Sequence, residues 1–524
     1  MNTAERIASR LSADLARPRP RLYYVPAIVV LLAAAWLTPQ WLNPVIINSD
    51  VSWLLEIGQR WLHGARPYVD FLETNPPASI LIYMPAVIGG DWTGIPPEYA
   101  LLGLIWAGGL GSLYASGRIA IRAGLMTRCE APLFAGLALA LLFLLPAHIF
   151  AQREQIALIA VMPMLAVYAA RANGKEVSPL VAFLVGLGGG VTVSIKPHFA
   201  LALIFPLLFM LWRARSSWRG VLRVAFAPEN IAVLIVGGLY LASVLICFPA
   251  FIHDMLPMDF LLYVPKRIPS RAILSNYTSH LLLAVMLWTG AIAWPELKKP
   301  LAITIALAGA GFTLAYILQG KGYRYQDYPA LVLFILMAGI AITRHWPRML
   351  SSESGPPKPV RFAVMAVVVF LSAVLIDLQW SLLGARVELD KTISSVRSLP
   401  IPRPRIFAFS ASLAVGQAPA RRVGGTWVGS TCCDWLLPID DRLKDKKATP
   451  VERKQLLTLE KRVIAMTVHD IRDGRPDVIL IDGNAGRRTA FRHPKIVAAL
   501  RPYREAKKAG DMEIWVRRDR TESR

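Results

Sequence analysis

The sequence predicts a polytopic α-helical membrane protein of about 11 spans, with interfacial helices in the first outer loop and a C-terminal extracytoplasmic α/β domain. Three observations carry that reading. The 524 residues are 55% hydrophobic and 18% charged, with a mean hydropathy of +0.44. Apolar runs long enough to cross about 30 Å of hydrocarbon recur between Tyr24 and Trp380. Beyond Leu383 the composition changes to charged stretches, turn residues and short β-branched runs. The formal net charge of +23 would suit a nucleic-acid binder, but most of the apolar mass would then have no role.

Hydropathy sets spans at 24–42, 98–118, 131–147, 155–170, 179–195, 199–213, 231–249, 280–294, 301–318, 329–343 and 362–380. The stretch from Ser79 to Gly89, bracketed by Asn75-Pro76-Pro77 and Gly89-Gly90, is too short to span and reads as an interfacial or re-entrant helix. Five arginines precede the first span and no small-residue cleavage site closely follows it, so that span reads as a retained anchor. The four cysteines, two of them the adjacent Cys432 and Cys433, draw no framework of spaced disulfides.

With the N-terminus cytoplasmic, 20 Lys and Arg fall in inner segments and nine in outer loops, the direction of the positive-inside rule. The location expected is a bacterial inner membrane. An odd number of spans then sets the tail outside, dividing the chain into a membrane domain of residues 1–382 and an extracytoplasmic domain of 383–524. In that tail, Pro476 to Gly483 reads as a buried strand ending in an Asp-Gly turn. Ile406–Ser410 and Met512–Val516 read as two further strands, with a helix from about Val451 to Asp470 between them. No dinucleotide glycine fingerprint is present.

The outer loops carry the ionisable residues that hydropathy does not explain. A helix after Asn48 would bring Asp50, Trp53, Leu54, Ile57 and Trp61 onto one stripe. It would lie flat in the interface with its acidic end toward the buried side. Asn48, Ser49 and Asp50 are all good N-cap types, so a capping aspartate is the plainer reading; a partly shielded carboxylate that takes a proton from an acceptor hydroxyl is the functional one. Asp70 and Glu73 follow a Gly-Ala-Arg-Pro turn, and either a bridge to Arg66 or a substrate contact suits them. Arg153-Glu154 enters a span with almost no linker, which demands an ion pair or a wet cavity and makes Glu154 a second catalytic candidate. Lys196-Pro197-His198 sits at a tight junction where a lysine can snorkel or meet a lipid phosphate. The loop from Phe248 to Ser279 adds Lys266, Arg267 and Arg271. Gln319 to Pro329 adds Lys321, Arg324 and Tyr325 around Gly320 and Gly322, whose lack of side chains would let a ligand approach. A carboxylate pair in a loop can bind Mg or Mn, but the spacing here specifies no coordination geometry, so the cofactor is left unassigned.

The first-loop aspartate, the run Gly64-x-x-Pro67-Tyr68-x-Asp70-x-x-x-x-Asn75-Pro76-Pro77, the many spans and the α/β tail resemble the GT-C superfamily of integral-membrane glycosyltransferases. The nearest branch is the one holding protein O-mannosyltransferases and the aminoarabinose transferase of lipid A. The similarity covers Pro26 to Pro179 best, with looser matches at Lys196-Pro197-His198 and at Gln319-x-Lys321-Gly322-x-x-Tyr325. It implies a polyprenyl-phosphate sugar donor, an outward-facing site, inversion at the anomeric carbon and Asp50 as the base. Members often carry Asp-Glu at this point; here Asp50 precedes Val51, and Glu73 or Glu154 would take the second acid's place. Lys196, Arg271, Lys321 and Arg324 would meet the phosphate, and Asp70, Glu73, Arg153, His198 and Tyr325 complete the expected substrate-binding set. The acceptor would be a glycolipid, polysaccharide or protein, and the surrounding partners membrane lipids, not nucleic acid. Two other classes fit many spans and buried charge: a lipid-linked-sugar flippase, which should show internal symmetry, and a non-catalytic subunit of a glycan-assembly complex.

Overall fold

The computed structural model of the protein describes residues 24–42, 48–265, 267–351 and 390–520. Ten apolar helices occupy the first ten expected span positions, from Val25–Leu42 to Tyr328–Ser351. Among the described residues, five are long and apolar enough to cross a membrane, and five apolar helices are shorter. The eleventh expected span, 362–380, the 382/383 domain boundary and Lys266 lie outside the described residues.

The helix Arg153–Ala172 is the hub. Of its apolar window 83% is buried inside the protein, against 17% for Pro228–Cys247 on the periphery. It is therefore surrounded by other helices, and the polar residues of its first turn must find protein partners. Pro179–Ile195 packs against the hub on one side and Pro228–Cys247 on the other through glycines. A Cβ at Gly186 would stand 2.3 Å from the Glu229 carbonyl, and one at Gly188 2.3 Å from the Ala160 carbonyl. Small residues let apolar helices approach when no water-driven term favours their contact. At the end of the hub away from Arg153, Arg171 makes a two-pronged contact with fully buried Glu229 at 2.5 and 2.9 Å, and Tyr168 reaches Asn230 at 2.5 Å.

The third apolar helix, Glu130–Leu139, widens into a π-turn over Ala140–Leu144. The side chains of Gln155 and Tyr328 donate to the carbonyls of Leu142 and Leu141 at 2.6 and 2.9 Å, supplying partners where the wider turn strains the helical ladder. The stretch expected as one interfacial helix from Ser79 is two, Ala78–Leu81 and Met84–Thr93, broken at Ile82-Tyr83. The Tyr83 hydroxyl donates to the Ala151 carbonyl at 2.8 Å, tying this break to the start of the hub.

The tail holds one sheet of five strands in the order β2-β1-β3-β5-β4: β1 Arg405–Phe409, β2 Thr426–Trp427, β3 Val478–Asp482, β4 Tyr503–Ala509 and β5 Met512–Arg517. β1 lies parallel to β2 and β3, and the β4–β5 hairpin closes the other edge antiparallel. Three strands and the helix Pro450–Arg472 fall where the sequence predicts them. The Asp482-Gly483 pair does not turn back into a hairpin; it opens the helix Gly483–Arg492, with Gly483 at φ +56.

The tail rests on the first-loop helix Ser49–Leu62. That helix does not lie with one face free: Val51 to Leu55, Ile57 and Gly58 are all buried. Its polar positions are met by the tail helix Gln417–Arg422 and by β2. Ser52 donates to Gln417 at 2.6 Å, Gln417 donates to the Ser49 carbonyl at 2.9 Å, and Arg60 donates to the carbonyls of Gly429, at 2.9 Å, and Trp427. Arg421 is the centre of the contact, with Glu56 at 3.0 Å, Gln59 at 2.6 Å and Glu98 at 2.6 Å. Glu98 is 2% exposed, so removing Arg421 strands a buried charge. Arg421→Ala is expected to destabilise the protein by about 3 kcal/mol or more, and Glu98→Gln in that background to return part of the loss. Thermal unfolding of the two single variants and the double variant measures both effects.

Candidate active site

Four loops meet at the N-terminal end of the hub helix. The segment that leads into it is strained: Ala147 and Ala151 have φ of +44 and +64, values that a residue with a Cβ rarely adopts. This backbone delivers Gln152, Arg153, Glu154 and Gln155 to the interior, each 3% exposed or less. Each reaches a different partner. Gln152 Nε2 donates to Asn48 at 2.6 Å and to Asp50 Oδ2 at 3.1 Å. Arg153 reaches Asn75 Oδ1 and, at 3.4 Å, Ser79. Glu154 accepts from Lys196 Nζ at 2.5 Å, and the same ammonium donates to Gln319 at 2.9 Å. Arg153 and Glu154 do not pair with each other here, because consecutive helical side chains point in different directions.

Asp50 is not the cap of its helix. Asn48 is: its side chain accepts from the Asp50 N–H at 3.0 Å. The Asp50 carboxylate is thereby left to face the cluster, half-buried, with Gln152 as its hydrogen-bond partner. Asp50 and Glu154 act electrostatically on Arg153, on Lys196 and on the Tyr325 phenol. Burial first, and these two carboxylates next, hold the Tyr325 hydroxyl above its ordinary range. It stays a neutral donor. The Lys196 ammonium lies 5.6 Å from the Phe199 ring centre and 5.7 Å from that of Tyr325. Three buried polar atoms among these residues meet no protein partner: Gln152 Oε1, Arg153 Nε and Glu154 Oε2.

The other expected site residues divide. Glu73, 3% exposed, organises the first loop from within: it accepts from Trp53 Nε1 at 2.5 Å and from the Asn75 N–H at 2.7 Å, and burial pushes its carboxyl above the usual range. It therefore sets the Asn75 that holds Arg153. His198 stands edge-on to Phe199 at 5.2 Å, its Nε2 buried without a protein partner. Lys321 donates to the Tyr263 carbonyl at 2.8 Å and lies 4.3 Å from that ring's centre. Arg324 is exposed on the same loop. The glycines beside Lys321 have a backbone reason of their own: Gly320 ends the helix Pro300–Gln319 at φ +67, and Gly322 has φ +68. Asp70 forms an exposed pair with Arg66 at 2.9 Å, and Arg271 is exposed on the short helix Ser270–Leu274, so neither joins the cluster. Sequence reasoning passed over Asn75, Gln152 and Gln319, the neutral residues that orient the charges. Their signal is weak, since an amide in a loop has many plainer uses.

Asp259, on the short helix Leu256–Leu262, was also missed. Its carboxyl is pushed up to about 8 from 3.8 by burial and then by the nearby Glu73 charge, with Lys321 pulling the other way. The folded protein thus keeps a proton that the unfolded chain loses first. That contribution to stability is complete below about pH 4 and is lost as the pH rises through about 8. Asp259→Asn is expected to match the parent near pH 4 and to be the more stable of the two above pH 8, as measured by unfolding across that range.

No protein-family model matches the chain, and no curated protein matches it. Solved structures do. ArnT from Cupriavidus metallidurans in the apo state superposes with a TM-score of 0.56 at 14% identity, over 93% of this chain and 97% of that one. The same ArnT bound to undecaprenyl phosphate gives a TM-score of 0.54 at 14% identity, over the same shares. The likeness runs through the helices and into the tail, and the chain shares the fold of these ArnT structures.

Proposed function

We propose that the protein is a membrane glycosyltransferase that moves a sugar from a polyprenyl-phosphate donor to an extracytoplasmic acceptor, with Asp50 as the general base. The observation that carries this reading is the buried cluster of Asp50, Arg153, Glu154 and Lys196, with three polar atoms left open, in a fold shared with an ArnT structure that holds undecaprenyl phosphate. In this reading the N-terminus is cytoplasmic, and the outer loops and tail share the far side of the membrane. The inner-loop excess of Lys and Arg supports that orientation.

The chemistry asks for two things at once. A hydroxyl must lose its proton as its oxygen attacks the anomeric carbon, and the departing phosphate must be stabilised as the bond from that carbon to the phosphate oxygen breaks. Asp50 takes the proton. Gln152 aims its carboxylate by donating to Oδ2. Glu154 holds the Lys196 ammonium in the interior, and Arg153 stands on the adjoining position of the hub with Nε free to donate. Two carboxylates and two cations leave the cluster near neutral, so an entering anionic phosphate is not repelled. Tyr325 adds a neutral phenol at the edge, while Lys321, Arg324 and His198 line the approach. Glu73 acts through Asn75 and not on the substrate directly. The donor's sugar and the acceptor, a glycolipid, polysaccharide or protein, are set by contacts outside this cluster.

Membranes carrying the protein, given a radiolabelled prenyl-phosphate sugar, test the assignment. Asp50→Asn is expected to lower transfer about 10²-fold or more with undecaprenyl-phosphate binding retained, the loss typical of a missing base. Lys196→Ala is expected to weaken that binding as well. Undiminished transfer by Asp50→Asn removes Asp50 as the base.

A further inference from the structure

We propose that the tail contains a divalent-metal site formed by Asp440, Glu460 and His493, of the kind that takes Zn2+. One ligating atom from each lies within 4.8 Å of the others. They come from three separate elements: the helix Leu436–Lys444, the helix Pro450–Arg472, and the junction between Gly483–Arg492 and Pro494–Leu500. His493 Nε2 stands 3.9 Å from Glu460 Oε1. Metal–ligand bonds of about 2.0–2.2 Å require ligand atoms about 3.3 Å apart in a tetrahedral site. The ligand atoms, within 4.8 Å of one another, therefore have to close by about 1.5 Å at most to complete the site.

A second observation separates this cluster from a chance meeting of acids. Asp440 is 7% exposed; Arg492 engages its Oδ2, while its buried Oδ1 accepts no hydrogen bond. His493 Nε2 is likewise buried without a hydrogen-bond partner. A buried carboxylate oxygen and a buried imidazole nitrogen, both with lone pairs to give and nothing donating to them, are costly as they stand and satisfied together by one cation. With a neutral imidazole, two carboxylates and Arg492 leave a net charge of −1, which favours a divalent ion. One nitrogen and two oxygens suit Zn2+ better than Mg2+ or Ca2+, which prefer oxygen alone. Arg492 then serves as the outer partner that orients the Asp440 carboxylate.

The ion would staple the part of the tail that rests on the outer loops. Leu436–Lys444 also carries Arg442, which reaches the Leu261 carbonyl at 3.4 Å, and Pro450–Arg472 carries Arg462, which pairs with Asp254 at 3.5 Å. This site is distinct from the Asp50 cluster and independent of the proposed reaction.

The test uses the purified full-length protein in detergent, stripped of metal and then titrated with Zn2+ and, separately, Co2+. One equivalent of Zn2+ is expected to survive dialysis and raise the unfolding temperature. Co2+ is expected to give a visible absorption band that Zn2+ abolishes. Glu460→Gln and His493→Gln should each weaken Zn2+ binding about tenfold or more, and Glu460→His, which restores a ligand, should recover most of it. The vicinal thiols of Cys432 and Cys433, 3.5 Å apart, are the competing Zn2+ ligands in this tail. Zn2+ binding that disappears in Cys432→Ser/Cys433→Ser and persists in Glu460→Gln overturns the assignment, as does a parent protein that retains no Zn2+.

Discussion

The structure turns on the burial of charge at the start of one helix. Arg153–Ala172 is enclosed by its neighbours, and its first turn carries an arginine and a glutamate that have almost no contact with solvent. Ions of that kind in an apolar surrounding persist only where partners are brought to them. Here each partner arrives from a different loop: Asn75 from the first, Lys196 from the junction of two spans, and Gln319 behind it from the end of another helix. Gln152 adds Asn48 and Asp50 at the head of the first-loop helix. The loops are held around the hub by this demand, and the strained backbone at Ala147 and Ala151 is the local cost of presenting four polar side chains inward.

The first-loop helix is the second tier of the same arrangement. It presents Trp53 to Glu73 on one side and Glu56, Gln59 and Arg60 to the tail on the other. Because Glu73 also fixes Asn75, this helix is joined to Arg153 by three hydrogen bonds in series, Trp53 to Glu73, Asn75 to Glu73 and Arg153 to Asn75. The hydrogen bond from the Leu72 N–H to the Ser430 carbonyl at 2.8 Å, with Ser430 held by Asp470, runs beside that route. The tail thus packs over the loop that holds Asp50.

Much of this was legible in the sequence where a single physical rule dominates. Hydrophobic length marked ten helices, and short apolar runs, β-branched in β3, marked β1, β3 and β5, because those strands are mostly buried. β4 escaped because it is an edge strand, Tyr503-Arg504-Glu505-Ala506-Lys507-Lys508-Ala509, charged as exposed edges are, and β2 because two residues carry no period. At the site, the sequence pointed to Asp50, Arg153, Glu154 and Lys196 as ionisable residues at odds with hydropathy and to Tyr325 as a phenol in a glycine-flanked loop, and the structure brings these residues together. The partner of Glu154 was not legible. Its ligand, Lys196, is 42 residues away, a separation that only the packing of two helices through glycine can close. Asp70 and Arg271 carried the same sequence signal and lie on exposed surfaces, since a loop charge costs nothing when water reaches it.

The open atoms in the cluster bear on whether it is a brace or a site. A structural ion pair in an apolar interior is seldom more stable than the hydrophobic residues that could replace it, so stability alone is a weak reason for Glu154 and Lys196 to be there. At the C-terminal end of the same hub, Arg171 and Glu229 meet through both carboxylate oxygens, and neither is among the buried groups left without a partner. Glu154 instead gives one oxygen to Lys196 and keeps the other buried and open, and Arg153 keeps its Nε open beside it. The two ends of one helix therefore solve the same problem differently. The C-terminal end is closed by its own residues; the N-terminal end has hydrogen-bonding capacity that the described residues do not use, directed to the place where Asp50 also faces.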